Sequence, residues 1–151
     1  MIHSHETIIV VEDEDDDIAL LKRAFRKTGI VNPVQFLTDG EQAVSYLAGK
    51  GEFADRHIHP LPSLMLLDLK LPRKSGLEVL AWVREQPVLK RIPIVVLTSS
   101  EQSIDLERAY DLGANSYLVK PVAFGDLLNL ISALKLYWIT FNEPPRTSNR
   151  A

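Results

Sequence analysis

Five short apolar runs, each followed by a stretch of helical periodicity, constrain the fold of this chain more than any other feature. The runs fall within Thr7–Val11, Val34–Leu37, Leu64–Leu67, Ile94–Leu97 and Ser116–Val119. Each is too short for a helix, and the pattern suits strands buried on both faces. The first helical pattern runs from Asp17 to a stop at Gly29, with Ile18, Leu20, Leu21 and Phe25 on one face. The second opens at Asp39-Gly40 and turns Ala43, Val44 and Leu47 inward. Gly76–Glu85 and Asp105–Leu112 follow, the latter closed by Gly113 as a C′ glycine, and Phe124–Phe141 is the last. This β-α alternation implies an α/β fold: a five-stranded parallel sheet with right-handed crossovers and helices on both faces.

The 151 residues suit a single domain. Its core is expected over about 7–136, with a helical extension to about 141 and a disordered polar tail over 142–151. The net charge of −3 and the lack of a Lys/Arg run argue against nucleic-acid binding. There is no cysteine, which excludes a disulfide framework or a thiolate metal site. No apolar run is long enough to span a bilayer, and MIHSHETI is not a signal peptide. A soluble, cytoplasmic protein with no membrane partner is the expectation.

Four of the strands end on polar residues: Glu12-Asp13, Asp68, Thr98 and Lys120. Open α/β sheets place their ligands beyond the carboxyl ends of their strands. Parallel strands would therefore bring these residues to one edge, although they are far apart in sequence. Two or three carboxylates there could hold a hard divalent cation through oxygen, with water completing the shell as Mg²⁺ prefers. Asp68 could then attack phosphorus to form an aspartyl-phosphate. Lys120 would set a fixed positive charge against the phosphoryl group, and the Thr98 hydroxyl could bond one of its oxygens. Singly, each residue has a mundane explanation; some acids of the Glu12–Asp17 run merely complement a helix amino end. Their joint placement at four strand ends does not.

The long segment Gly49–Pro62 reads as a surface loop. His57 and His59 within it, like His3 and His5, read as solvated residues, since a metal pair would need a third ligand.

The motifs Val10-Val11-Glu12-Asp13, Leu67-Asp68-Leu69-Lys70-Leu71-Pro72, Gly76, Leu97-Thr98-Ser99 and Tyr117-Leu118-Val119-Lys120-Pro121 together resemble the receiver domain of two-component response regulators. The likeness covers roughly Thr7 to Leu136. It implies a flavodoxin-like fold, Asp68 as phosphoacceptor, and phosphate received from a histidine kinase. It further implies Mg²⁺ held by Asp13 directly, Glu12 alongside, Asp68 and the Lys70 carbonyl. Thr98 and Tyr117 would form the switch pair, Thr98 moving to the phosphoryl group and Tyr117 turning inward behind it. Lys120-Pro121 would carry a cis peptide bond. Such a chain assists only its own phosphorylation and dephosphorylation, and so is not an enzyme in the ordinary sense.

A narrower likeness lies in LDLKLPRKSGLEVL, the loop before it and the ending LYWITFNEPP. These look like the small regulators of bacterial and cyanobacterial phytochromes, which lack an output domain. Two other readings compete. A phosphohydrolase of the haloacid dehalogenase type would want an acid two residues after the nucleophile, where Lys70 stands. A flavodoxin-like nucleotide or flavin binder would want a glycine- or hydroxyl-rich first loop instead of EDEDDD.

The final helix carries an apolar stripe of Phe124, Leu127, Leu128, Ile131 and Leu134. Beyond it, Leu136, Tyr137, Trp138, Ile139 and Phe141 cover most of the circumference. A helix apolar all round must be buried all round, which predicts a homodimer with Tyr137, Trp138 and Phe141 in its interface.

Overall fold

The structure, a computed structural model, describes residues 1–145. Ten regular elements alternate along the chain: β1 (Ile8–Val11), α1 (Asp15–Lys27), β2 (Val34–Leu37), α2 (Gly40–Ala48), β3 (Leu64–Leu67), α3 (Gly76–Glu85), β4 (Ile94–Thr98), α4 (Ser103–Asp111), β5 (Ser116–Val119) and α5 (Phe124–Leu134). All strand pairings are parallel and the sheet order is β2-β1-β3-β4-β5. The expected five-stranded architecture is therefore present.

Successive residues of a strand point to opposite faces, and the core divides accordingly. Ile9, Val11, Met65, Leu67, Ile94 and Val96 pack on one side with residues of α2, α3 and α4, including Ala43, Leu47, Val79, Leu80, Val83 and Ala109. Ile8, Val10, Leu64, Leu66, Val95 and Leu97 pack on the other with Leu21, Ala24 and Phe25 of α1 and Leu127, Ile131 and Leu134 of α5. Strands buried on both faces explain why β1, β3 and β4 are apolar runs without polar alternation.

Three local differences have physical reasons. Helix α1 begins at Asp15, two residues before the expected start, because three acids in its first turn complement the positive end of the helix dipole. Leu20 lies outside its buried stripe and is exposed.

The segment Gly49–Pro62 is not simply a surface loop. It contains a short 3₁₀ turn, Gly51–Phe53, and buries Phe53 and Leu61. Arg56 ties it down by donating to the carbonyls of Tyr46 at 2.7 Å and Leu47 at 2.8 Å in the last turn of α2. His59 is half-buried, its ring edge-on to Tyr46 and Phe53, so the solvated reading holds for exposed His57 but not for His59.

The last helix changes character at Lys135, where a π-helical extension runs to Phe141. Ile139 is buried and Trp138 half-buried against the α1–α5 cluster, and the Ile139 carbonyl accepts the Ile2 amide at 2.8 Å. Leu136, Tyr137 and Phe141 stay exposed. The end of the chain thus folds back on its own domain with one side only. The polar tail expected over 142–151 falls outside the described residues from 146 onward. Among the described residues, no helix is long and apolar enough to cross a membrane.

Candidate functional site

Strand register sets the site. Val11 lies beside Leu67, Leu67 beside Val96, and Thr98 beside Val119. The next residues, Glu12, Asp68 and Lys120, therefore leave the sheet together. Their backbones continue the ladder: the Asp68 amide donates to the Val11 carbonyl at 3.1 Å, and the Lys120 amide to Thr98 at 2.8 Å.

The loop after β3 is held close to Asp68 by the start of α3. Ser75 caps that helix reciprocally with Glu78, and the Gly76 amide donates to the Leu69 carbonyl at 2.9 Å. A Cβ on Gly76 would sit 2.1 Å from the Asp68 carbonyl oxygen, so only glycine permits this approach.

Lys120 is the hub of the site. Its ammonium donates to Asp68 Oδ2 at 2.9 Å and to Asp17 Oδ2 at 2.9 Å, and it pairs with Glu12 Oε2. Burial alone would lower its pKa, but hydrogen bonds to Glu12, Asp68 and Asp17 outweigh that and hold it above the usual lysine range. Glu12 is pushed up to about 7, chiefly by burial and further by the Asp68 charge, while Lys120 and the Glu14 amide oppose the shift. Asp68 and Glu12 are both buried, whereas Asp13 is half-buried.

Glu12, Asp13 and Asp68 each offer a carboxylate oxygen, and these atoms lie within 4.8 Å of one another. Three hard oxygen donors beside an open space fit a small divalent cation. The space is a cavity of about 120 Å³ lined by Asp13, Glu14, Asp17, Asp68, Lys70, Thr98, Ser99 and Lys120.

Thr98 is fully buried and lines this cavity, its Oγ1 accepting the Ser100 amide at 3.4 Å. Tyr117 lies on the neighbouring strand β5, beside Val96. Its half-buried ring already packs against the core, and its hydroxyl donates to the Ser100 carbonyl at 2.9 Å. That bond ties the ring to the loop after β4. The Lys120-Pro121 bond is trans, as are all described peptides. The two isomers before proline differ by only about 0.5–1 kcal/mol, so the motif by itself does not fix one.

Two features escaped the sequence reading. Asp17 is read from the sequence only as a helix start, yet it pairs with Lys120, which the fold brings to it from the end of β5. The second is a set of bonds around Asp105, a buried acid in the first turn of α4. It accepts the Ser100 hydroxyl at 2.6 Å and pairs with the Lys70 ammonium at 3.4 Å. The Ser100 bond, and after it Lys70, hold the Asp105 carboxyl below the usual carboxylate range. No short-range pattern joins residues 70, 100 and 105, because sheet topology brings them together.

Residues 8–132 match the family described as the response regulator receiver domain. The chain belongs to that family. As a receiver, it is a phosphoacceptor signalling domain, which disposes of the dehalogenase and flavin-binding readings. It is 40% identical over 141 residues to the probable methanogenesis regulatory protein FilR2 of Methanothrix harundinacea, covering 91% of this chain and 86% of that one. It is 37% identical over 134 residues to the response regulator Rcp1 of Synechocystis, covering 89% of each chain. The Mn(2+)-bound form of Rcp1 superposes with a TM-score of 0.85 at 36% identity, over 93% of this receiver and 99% of that chain. The phosphorylated cyanobacterial phytochrome response regulator RcpA superposes with a TM-score of 0.88 at 37% identity, over 94% and 99%.

Proposed function

We propose that Asp68 is the phosphoacceptor and that Mg²⁺ is the physiological cation, held by Asp13, Glu12, Asp68 and the Lys70 carbonyl. The observation that carries this reading is the Asp68 carboxylate, 2.9 Å from Lys120 and facing a small cavity lined by three further acids, Asp13, Glu14 and Asp17. In the transfer, an Asp68 oxygen bonds to phosphorus as the donor's P–N bond breaks, and the electron pair stays on the donor imidazole. Bound Mg²⁺ would offset the negative charge of the carboxylates and of the arriving phosphoryl oxygens. Lys120 remains beside Asp68 throughout and stabilises the charge on the transferring group. The Thr98 hydroxyl exchanges the Ser100 amide for a phosphoryl oxygen. Tyr117 turns inward behind it, and its hydroxyl bond to the Ser100 carbonyl draws the β4–α4 loop along.

The kinase is a histidine kinase of phytochrome type, and the protein works in the cytoplasm. Likeness to Rcp1 and RcpA supports the kinase assignment, and the cysteine-free chain suits the compartment. A second copy of the chain docks on exposed Tyr137 and Phe141, with Trp138 beneath them. Support for this lies in three large exposed side chains, with Leu136, on one short turn.

Incubation with acetyl phosphate tests the central reading. Label should appear with Mg²⁺, disappear in chelator and be absent from Asp68→Asn. Full labelling of that variant would refute the assignment. Transfer from a red-light-regulated kinase should outpace transfer from unrelated histidine kinases; equal rates would refute the phytochrome assignment.

A further inference from the structure

The bonds around Asp105 form a second line from the phosphorylation site to α4, separate from Thr98 and Tyr117. Lys70 borders two spaces at once. It lines the 120 Å³ cavity at Asp68, and with Asp105 it lines a larger groove of about 520 Å³ between α3 and α4. Its backbone amide faces Asp68 Oδ1 at 3.4 Å, while its ammonium is 3.4 Å from Asp105 Oδ2. The side chain is 68% exposed, so it is free to swing on a flexible stem. Asp105 is buried and cannot follow. The same oxygen accepts the Ser100 hydroxyl, which belongs to the loop that Thr98 and Tyr117 also hold.

A phosphoryl group replaces the single charge of the Asp68 carboxylate with close to two, so even with Lys120 and Mg²⁺ in place the cavity would gain about one negative charge, while that of Asp105 stays the same. The competition for the Lys70 ammonium then favours the phosphoryl group. We propose that Asp105 is a positioning residue: it holds the Lys70 ammonium at the α3–α4 groove until a phosphoryl group on Asp68 draws it across, releasing the start of α4. This rests on the reading of Asp68 as phosphoacceptor.

The consequence reaches phosphate lifetime. Hydrolysis proceeds by attack of a water oxygen on phosphorus. The P–O bond to Asp68 breaks, its electron pair returns to the carboxylate, and both of the water's protons leave with the inorganic phosphate as dihydrogen phosphate. An ammonium resting on a phosphoryl oxygen obstructs that approach. Asp105 competes for the ammonium and so shortens the lifetime.

The test follows loss of label from protein phosphorylated with acetyl phosphate and Mg²⁺, alongside amide exchange of residues 103–111. Asp105→Asn keeps the Ser100 acceptor and should still label, but lose phosphate roughly two- to fivefold more slowly, the scale of an exposed ion pair. Lys70→Met, at an exposed position, should lose phosphate faster. It should also abolish the effect of adding Asp105→Asn. In the wild type, phosphorylation should speed exchange at the start of α4, and in Lys70→Met the increase should be smaller, leaving only what Thr98 transmits. An Asp105→Asn effect below twofold, or one that persists undiminished in Lys70→Met, would overturn the proposal; so would equal α4 responses in wild type and Lys70→Met. Label surviving Asp68→Asn would instead remove the reading on which this one stands, and the proposal with it.

Discussion

At Lys120 one ammonium faces the carboxylates of Glu12, Asp17 and Asp68, with Asp13 close by. A cluster so rich in one sign is stable only while something positive stays within it. Removing one partner of a buried ion pair leaves the others uncompensated. Lys120→Ala should therefore destabilise the metal-free protein by roughly 2–4 kcal/mol. Because the acids remain, Mg²⁺ should raise the unfolding midpoint of the variant more than that of the wild type, and chelator should reverse the gain. Thermal melts with and without Mg²⁺ measure both, and equal gains would show that Lys120 does not screen the acids. Glu12, Asp13, Asp68 and Lys120 were legible in the sequence because each stands at the end of an apolar strand. Asp17 and Asp105 were not, since each looked like an ordinary acid in a helix's first turn, and only the fold shows what they face. Tyr117 was legible as a position, but its bond to the Ser100 carbonyl, seventeen residues away, was not.

The strands and most helix ends could be read from apolar runs, caps and glycines, which act over a few residues. The segment between α2 and β3 could not, because polar composition hid its buried anchors. Tyr46 is the clearest of them: fully buried on α2, it donates its hydroxyl to the Pro60 carbonyl at 2.8 Å. Burial pushes its pKa up to about 12, with Arg56 pulling slightly the other way, against a value near 10 in an unfolded chain. Between those values the folded protein binds the phenolic proton more tightly than the unfolded one, so stability falls as pH rises. The contribution is fully present below about pH 10 and is lost as pH approaches the folded value. From about pH 9 to pH 11 the wild type should lose about 1 kcal/mol through this group. Tyr46→Phe, less stable at neutral pH by the missing hydrogen bond, should lose less over the same range. Urea midpoints across the alkaline range should therefore converge, and parallel curves would place the titration elsewhere.

For the molecule as a whole, the open question is what covers the end of the chain. The sequence showed a helix apolar all round, and the structure divides it into two sides. Trp138 and Ile139 face the domain's own core, and Ile139 is pinned by the Ile2 amide, so these residues stabilise the monomer's fold. Leu136, Tyr137 and Phe141 face away at 55%, 60% and 71% exposure. Tyr137 stands edge-on to Trp138 at 5.0 Å between ring centroids, which backs an exposed ring with a fixed one. Large aromatics on a rigid support are the residues that dominate interfaces, each worth on the order of 2 kcal/mol when well buried. A two-fold dimer would stack these turns against each other, each copy giving the same patch. The division also decides which variants are informative. Trp138→Ala should lower the unfolding midpoint whether or not a dimer forms. Tyr137→Ala combined with Phe141→Ala removes only outward groups, so it should leave folding and phosphorylation at Asp68 intact while shifting the protein to monomer. Sedimentation at micromolar concentration distinguishes the cases. A wild type that sediments as a monomer, phosphorylated or not, would mean that this patch does not pair two copies of the chain.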